Sequence, residues 1–217
     1  MQSHHLSIKK TARYFTWGQL SENTKNVWFT CHGYGQLAEF FIKKFDALNP
    51  EENYVVCPEA LSRFYLDGFG GRVGATWMTK EDRLCEIRDY ISYLNMLYEK
   101  VFSESTKNSE QVKIKILGFS QGTATVCRWV FDGQIRFDEL ILWAGNLAHD
   151  LAFERTEAIL GGKKIYMVYG DQDEFIKSEH ITAQEKLIQE KNLQVEVIPF
   201  EGKHELHREV IVDLSKK

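Results

Sequence analysis

Long apolar runs are missing from this chain. The longest, LILWA at 140–144, is far shorter than the roughly 20 residues needed to cross a bilayer, which excludes stable membrane insertion by a helix. The opening MQSHHLSIKKTARYF has no continuous apolar segment, so no secretory signal is expected. A basic excess is missing too: 27 Lys and Arg face 31 Asp and Glu, a formal charge of −4, with neither sign gathered into a block. Nucleic-acid binders show a basic stripe or patch, so nucleic acid is not an expected partner. Cysteine is scarce. Cys31, Cys57, Cys85 and Cys127 lie far apart, with no CxxC and no His pair at metal-ligand spacing beside them. That pattern predicts reduced, mostly buried thiols, a cytoplasmic protein and no metal. Internal repeats, low-complexity tracts and linker-like segments are also lacking, so one domain over 1–217 is expected.

What is present is an alternation of short apolar runs with longer amphipathic ones. The runs at 26–31, 53–57, 112–119, 138–144, 163–170 and 193–200 are rich in Val, Ile and aromatics. Apolar residues on successive positions suit strands covered on both faces. Helical spacing is clearest at 80–102, through Leu84, Ile87, Ile91, Leu94, Tyr98 and Val101, with Thr79 and Asp82 as a capping box. Further helices are expected at 36–48, 121–131, 151–160, 175–191 and 205–215, and one or two edge strands in 6–17. The sum is an α/β fold: a mostly parallel sheet of about eight strands with helices on both faces.

Within that pattern, ILGFSQGTA places Gly118-Phe119-Ser120-Gln121-Gly122 between a strand and a helix. This is the setting of a nucleophile elbow, in which Ser is lifted on a strained turn and glycines let strand and helix approach. A serine hydroxyl needs a base, and the base an orienting carboxylate. GDQDEF, after one strand, offers Asp171 and Asp173; EGKHELH, after the last, offers His204 and His207. Both turns follow carboxyl ends of strands, where open α/β sheets place their sites. Asp173 is preferred because it stands clear of the strand end, and His204 because His207 is expected to have entered the last helix. Oxyanion donors are expected from the backbone amides of Gln121 and of Tyr34, the latter in CHGYGQ at 31–36. His32 precedes the nucleophile in that same turn and reads as a loop brace.

These motifs, CHGYGQ, LGFSQG, GDQD and GKH, resemble the α/β-hydrolase superfamily, and more narrowly the carboxylesterase/phospholipase family that includes the acyl-protein thioesterases. The resemblance spans about residues 6–214 and implies Ser120 as nucleophile, Asp173 as acid, His204 as base and the Tyr34 and Gln121 amides as oxyanion hole. It implies no cofactor. The chain departs from the family pattern at Gln36, where Asp is usual after H-G-x-G, at Glu174, where Asp-Pro is usual, and in a one-residue shortening before the base.

The strand ending near Ala144 is followed within a few residues by the helical pattern at 151–160, which leaves no room for a lid domain. The loop at 58–79, long and without a regular pattern, gathers Phe64, Tyr65, Phe69, Trp77 and Met78 among glycines. Loops of that length are often functional, and Trp77, Met78 and Phe69 are the candidates for an apolar substrate wall. The expected activity is hydrolysis of short to medium acyl esters or thioesters, with a small or acylated molecule as substrate. Lysophospholipid or peptide cleavage on the same triad, or a non-catalytic binding module, are the alternatives.

Overall fold

All six apolar runs become strands, with ends within two residues of those expected. In the computed structural model, which describes residues 1–105, 107–175 and 178–217 and only the backbone of 178–181 and 183, residues 1–13 form no helix or strand. The chain then runs β1 (Tyr14–Trp17), β2 (Asn26–Cys31), α1 (Ala38–Phe41), β3 (Asn53–Pro58), β4 (Ser62–Asp67) and β5 (Gly70–Thr76). It continues through α2 (Arg83–Ser103), β6 (Lys113–Phe119), α3 (Gln121–Asp132), β7 (Glu139–Trp143) and α4 (Thr156–Leu160). Last come β8 (Lys164–Gly170), α5 (Ser178–Glu190), β9 (Val195–Phe200) and α6 (Arg208–Lys216).

The main sheet has seven strands in the order β1-β3-β2-β6-β7-β8-β9. Only β1 runs antiparallel, pairing with β3. The opening stretch supplies that one edge strand. The loop at 58–79, expected to be irregular, is instead the separate antiparallel hairpin β4–β5. The capping box is not formed: Asp82 caps α2 in a left-handed conformation, φ 46°, without a side-chain bond, and Glu86 takes the Thr79 amide at 2.6 Å.

Successive strand residues point to opposite faces, and two cores result. Val27, Phe29, Ile114, Ile116, Leu140 and Leu142 meet α2 and α3 on one face. Trp28, Val55, Leu117, Ile141 and Trp143 meet α1 and α6 on the other. Every residue of β2 is therefore buried, and each large side chain so covered stabilises the fold by about 1.5–3 kcal/mol. The buried stripe of α2 begins at Tyr90, while Leu84 is exposed. Among the described residues no helix is long and apolar enough to cross a membrane.

One charge breaks the apolar pattern of β6. Lys115 is fully buried, paired with Glu139 at the start of β7. Its ammonium also donates to the Leu214 carbonyl in the last turn of α6 at 2.9 Å, where the helix dipole favours a cation. Burial lowers the Lys115 pKa and Glu139 opposes that. The pair holds α6, the helix that follows the His204 loop, against the amino-terminal ends of the strands.

Candidate active site

Ser120 sits between β6 and α3 at φ 52°, ψ −116°, a conformation that side chains rarely adopt and that must be held by its surroundings. Three hydrogen bonds hold it: its amide donates to Trp143 O at 2.8 Å, and its carbonyl accepts from Thr123 N at 3.0 Å and Thr123 Oγ1 at 2.7 Å. The flanking glycines are required by packing. A Cβ on Gly118 would lie 2.3 Å from Gly122 O, and one on Gly122 would lie 2.2 Å from Cys31 O. The elbow thus fits directly onto the end of β2.

The loops after β8 and β9 come together beside it. Asp171, exposed, accepts the Gly202 amide at 3.0 Å and so ties the two loops. The Asp173 carboxylate is completely buried. Its Oδ1 accepts the Phe175 amide at 2.9 Å and its Oδ2 lies 2.8 Å from His204 Nδ1. A carboxylate only accepts, so Nδ1 carries a proton, and in the neutral imidazole Nε2 is then the nitrogen with the lone pair. The imidazole packs between Phe119, at 4.9 Å, and Phe175, at 4.7 Å between ring centroids. Phe119 is the residue before Ser120. His207, by contrast, caps α6 and rests on Phe200 at 5.3 Å. Of each expected pair, the preferred member is the one brought together with its partner.

The turn at 33–36 closes the other side. A Cβ on Gly33 would lie 3.2 Å from Ser120 Cβ, so this turn abuts the serine. The Gly33 amide donates to Gln36 Oε1 at 2.8 Å. Neither the Tyr34 nor the Gln121 amide has an acceptor among the described residues. His32 is buried, donating from Nδ1 to Gly33 O at 2.8 Å and accepting the Ala60 amide on Nε2 at 3.1 Å. Burial lowers its pKa, opposed by the Gly33 carbonyl and by Glu59. It braces the turn, as expected.

The three residues expected to wall a pocket do not converge. Trp77 is only 2% exposed and belongs to the core, its indole N–H donating to His32 O at 2.8 Å, so it has almost no surface to offer a substrate. Met78 is half-buried, with its carbonyl receiving Gln121 Nε2 at 3.0 Å. Phe69 stands fully exposed at the hairpin tip. Hairpin side chains that do reach the turn include Phe64, 5.2 Å from the Tyr34 ring, and Leu66, against Gly35.

Two groups beside the site were not read from the sequence. Glu59 is buried and bonded by Arg13, Arg63 and the Ala38 amide, linking the residue before β1, the hairpin and α1. Burial would raise its pKa, but the two guanidinium bonds hold it below the ordinary value. Asp150, after β7, is likewise penalised by burial yet held down to about 2 by Arg128 and Arg83. A charged residue just past a strand end is the only signal either leaves in the sequence.

The chain as a whole matches a known family. The model of the Phospholipase/Carboxylesterase family matches residues 19–217. The chain belongs to that family. It is accordingly a hydrolase of the phospholipase/carboxylesterase kind. A search of curated proteins finds no match. Among solved structures, the phospholipase/carboxylesterase fold recurs in esterase PE8, at TM-score 0.67 and 18% identity over 95% of this chain and 97% of that one. Acyl-protein thioesterase 2 from Zea mays aligns at 0.67 and 17%, over 95% and 97%. The Bacillus cereus carboxylesterase aligns at 0.66 and 13%, over 94% and 92%. At these identities the likeness is one of fold.

Proposed function

We propose that this hydrolase cleaves carboxylic esters or thioesters of short to medium acyl chains through an acyl-enzyme on Ser120. The observation that carries the reading is the 2.8 Å hydrogen bond from the buried Asp173 carboxylate to His204, whose ring packs on Phe119, the residue before a serine held at positive φ. With Nδ1 committed to Asp173, His204 Nε2 is the free basic nitrogen. It takes the Ser120 proton as Oγ attacks the carbonyl carbon, and the carbonyl π electrons move onto oxygen. The Tyr34 and Gln121 amides receive that oxyanion. Collapse expels the alcohol or thiol, protonated by His204, and a water activated by the same nitrogen then releases the acid. Asp173 stays ionised and stabilises the imidazolium. The departure at Glu174 leaves this pair intact, because the Asp173 turn is closed by the Phe175 amide.

Four free cysteines, three of them buried, accord with a reducing compartment such as the cytoplasm. The reading is tested with a fluorophosphonate probe and a panel of p-nitrophenyl esters and acyl thioesters from two to ten carbons. Labelling of the wild type and not of Ser120→Ala, with hydrolysis strongest at the short and middle lengths, is expected. Equal labelling of both proteins removes the proposed nucleophile.

A further inference from the structure

The hairpin that replaced an expected irregular loop touches both halves of the oxyanion hole. On one side Ala75, in β5, exchanges backbone bonds with the turn: Gly35 N donates to Ala75 O at 2.9 Å and Ala75 N to Gln36 O at 3.2 Å. The approach is close enough that a Cβ on Gly74 would lie 2.5 Å from Gly35 O. Gln36 then reaches back with its side chain to the Gly33 amide at 2.8 Å, while its own backbone amide donates to Gly33 O at 3.3 Å, so the peptide groups before and after Gly33 are both held.

On the other side the next three residues hold the Gln121 side chain. Its Oε1 accepts the Trp77 amide at 3.1 Å, and its Nε2 donates to Thr76 Oγ1 at 2.9 Å and Met78 O at 3.0 Å. The Thr76 hydroxyl in turn donates to Met78 O at 2.9 Å. Thr76 is buried, and all three hydrogen-bonding groups of the Gln121 amide are satisfied by residues 76–78. Residues 75–78 therefore bridge the segment that carries Tyr34 and the one that carries Gln121.

We propose that Thr76 and Gln36 are positioning residues that set the spacing of the Tyr34 and Gln121 amides for the oxyanion. The proposal rests on the reading of Ser120 as nucleophile. Gln36 stands where the family usually has Asp, and its neutral side chain is the acceptor that holds the Gly33 amide. A donor displaced by a fraction of an ångström loses most of its effect on the transition state while substrate binding is little changed.

The test compares a short-chain trifluoromethyl ketone with its matched carbinol. The ketone carbon accepts Ser120 Oγ, the hydroxyl proton passes to His204, and the carbonyl π pair becomes an oxyanion; the carbinol forms none. Thr76→Val and Gln36→Leu are each expected to weaken ketone binding and kcat about 10–100-fold, leaving KM and carbinol binding within about threefold. Thr76→Ser, which keeps the hydroxyl, is expected to restore both. Unchanged ketone affinity in both variants, whatever their melting temperatures, overturns the inference. If wild-type Ser120 forms no adduct with a fluorophosphonate, the reading beneath it falls as well. Labelling with unmoved variants overturns the inference alone.

Discussion

Replacing Asp173 by Asn changes one atom of a buried side chain that holds the base. Oδ1 keeps the Phe175 amide, so the new NH2 faces His204. A donor there cannot pair with the Nδ1 proton. The imidazole must move its proton to Nε2, the nitrogen that has to act as base. A wrong tautomer of this kind lowers kcat/KM by about 10⁴, or roughly 5 kcal/mol at 1.36 kcal/mol per decade. Stability is expected to fall much less. One charge-assisted bond is lost, about 1–3 kcal/mol, which for a chain of this size lowers the melting temperature by about 2–12 °C. Asp171→Asn is the control, because an Asn oxygen still accepts the Gly202 amide. Kinetics on p-nitrophenyl butyrate beside thermal unfolding separate the effects. Asp173→Asn within tenfold of wild type, or a larger loss in Asp171→Asn, refutes the reasoning.

Lys115→Met should strand the buried Glu139 carboxylate, whose Oε1 has no hydrogen-bond partner and only Lys113 at 3.6 Å; urea unfolding should show a loss of about 3–5 kcal/mol, largely recovered by adding Glu139→Leu. Trp77→Ala should cost about 3–5 kcal/mol with the order of acyl-chain preference unchanged, and a changed order with intact stability would return Trp77 to the pocket. His32 is held neutral by burial, so the unfolded chain binds a proton that the folded one refuses. Below about pH 6.5 stability should therefore fall as pH falls. Urea titrations should show wild type losing more stability than His32→Asn on acidification, and parallel losses would contradict this.

The sheet was legible because burial on both faces leaves uninterrupted apolar runs, and β2, β6 and β7 carry that mark in nearly every residue. The elbow was legible because its glycines answer a steric demand that no other residue meets. The hairpin was not. In β4 only Ser62 and Phe64 are even half-buried, and β5 opens with three exposed residues, so neither strand shows a two-residue apolar period. Its role depends on bonds between residues far apart in the chain, such as Thr76 to Gln121, 45 residues apart, and these leave no local pattern. The Lys115 pairing was not legible for the same reason, since its partners Glu139 and Leu214 lie 24 and 99 residues away. Trp77 read as a pocket wall because glycines around an aromatic suggest an open loop, whereas Gly74 serves the close approach of β5 to Gly35.

The central claim is a covalent acyl group on Ser120. Rapid mixing with p-nitrophenyl butyrate, an acid quench within the first turnovers and peptide mapping by mass spectrometry test it directly. The account predicts a butyryl mass on the peptide carrying Ser120, rising with a burst of nitrophenol and absent from Ser120→Ala. Hydrolysis at the wild-type rate with no acyl group on that peptide, or with the group on another residue, would contradict it.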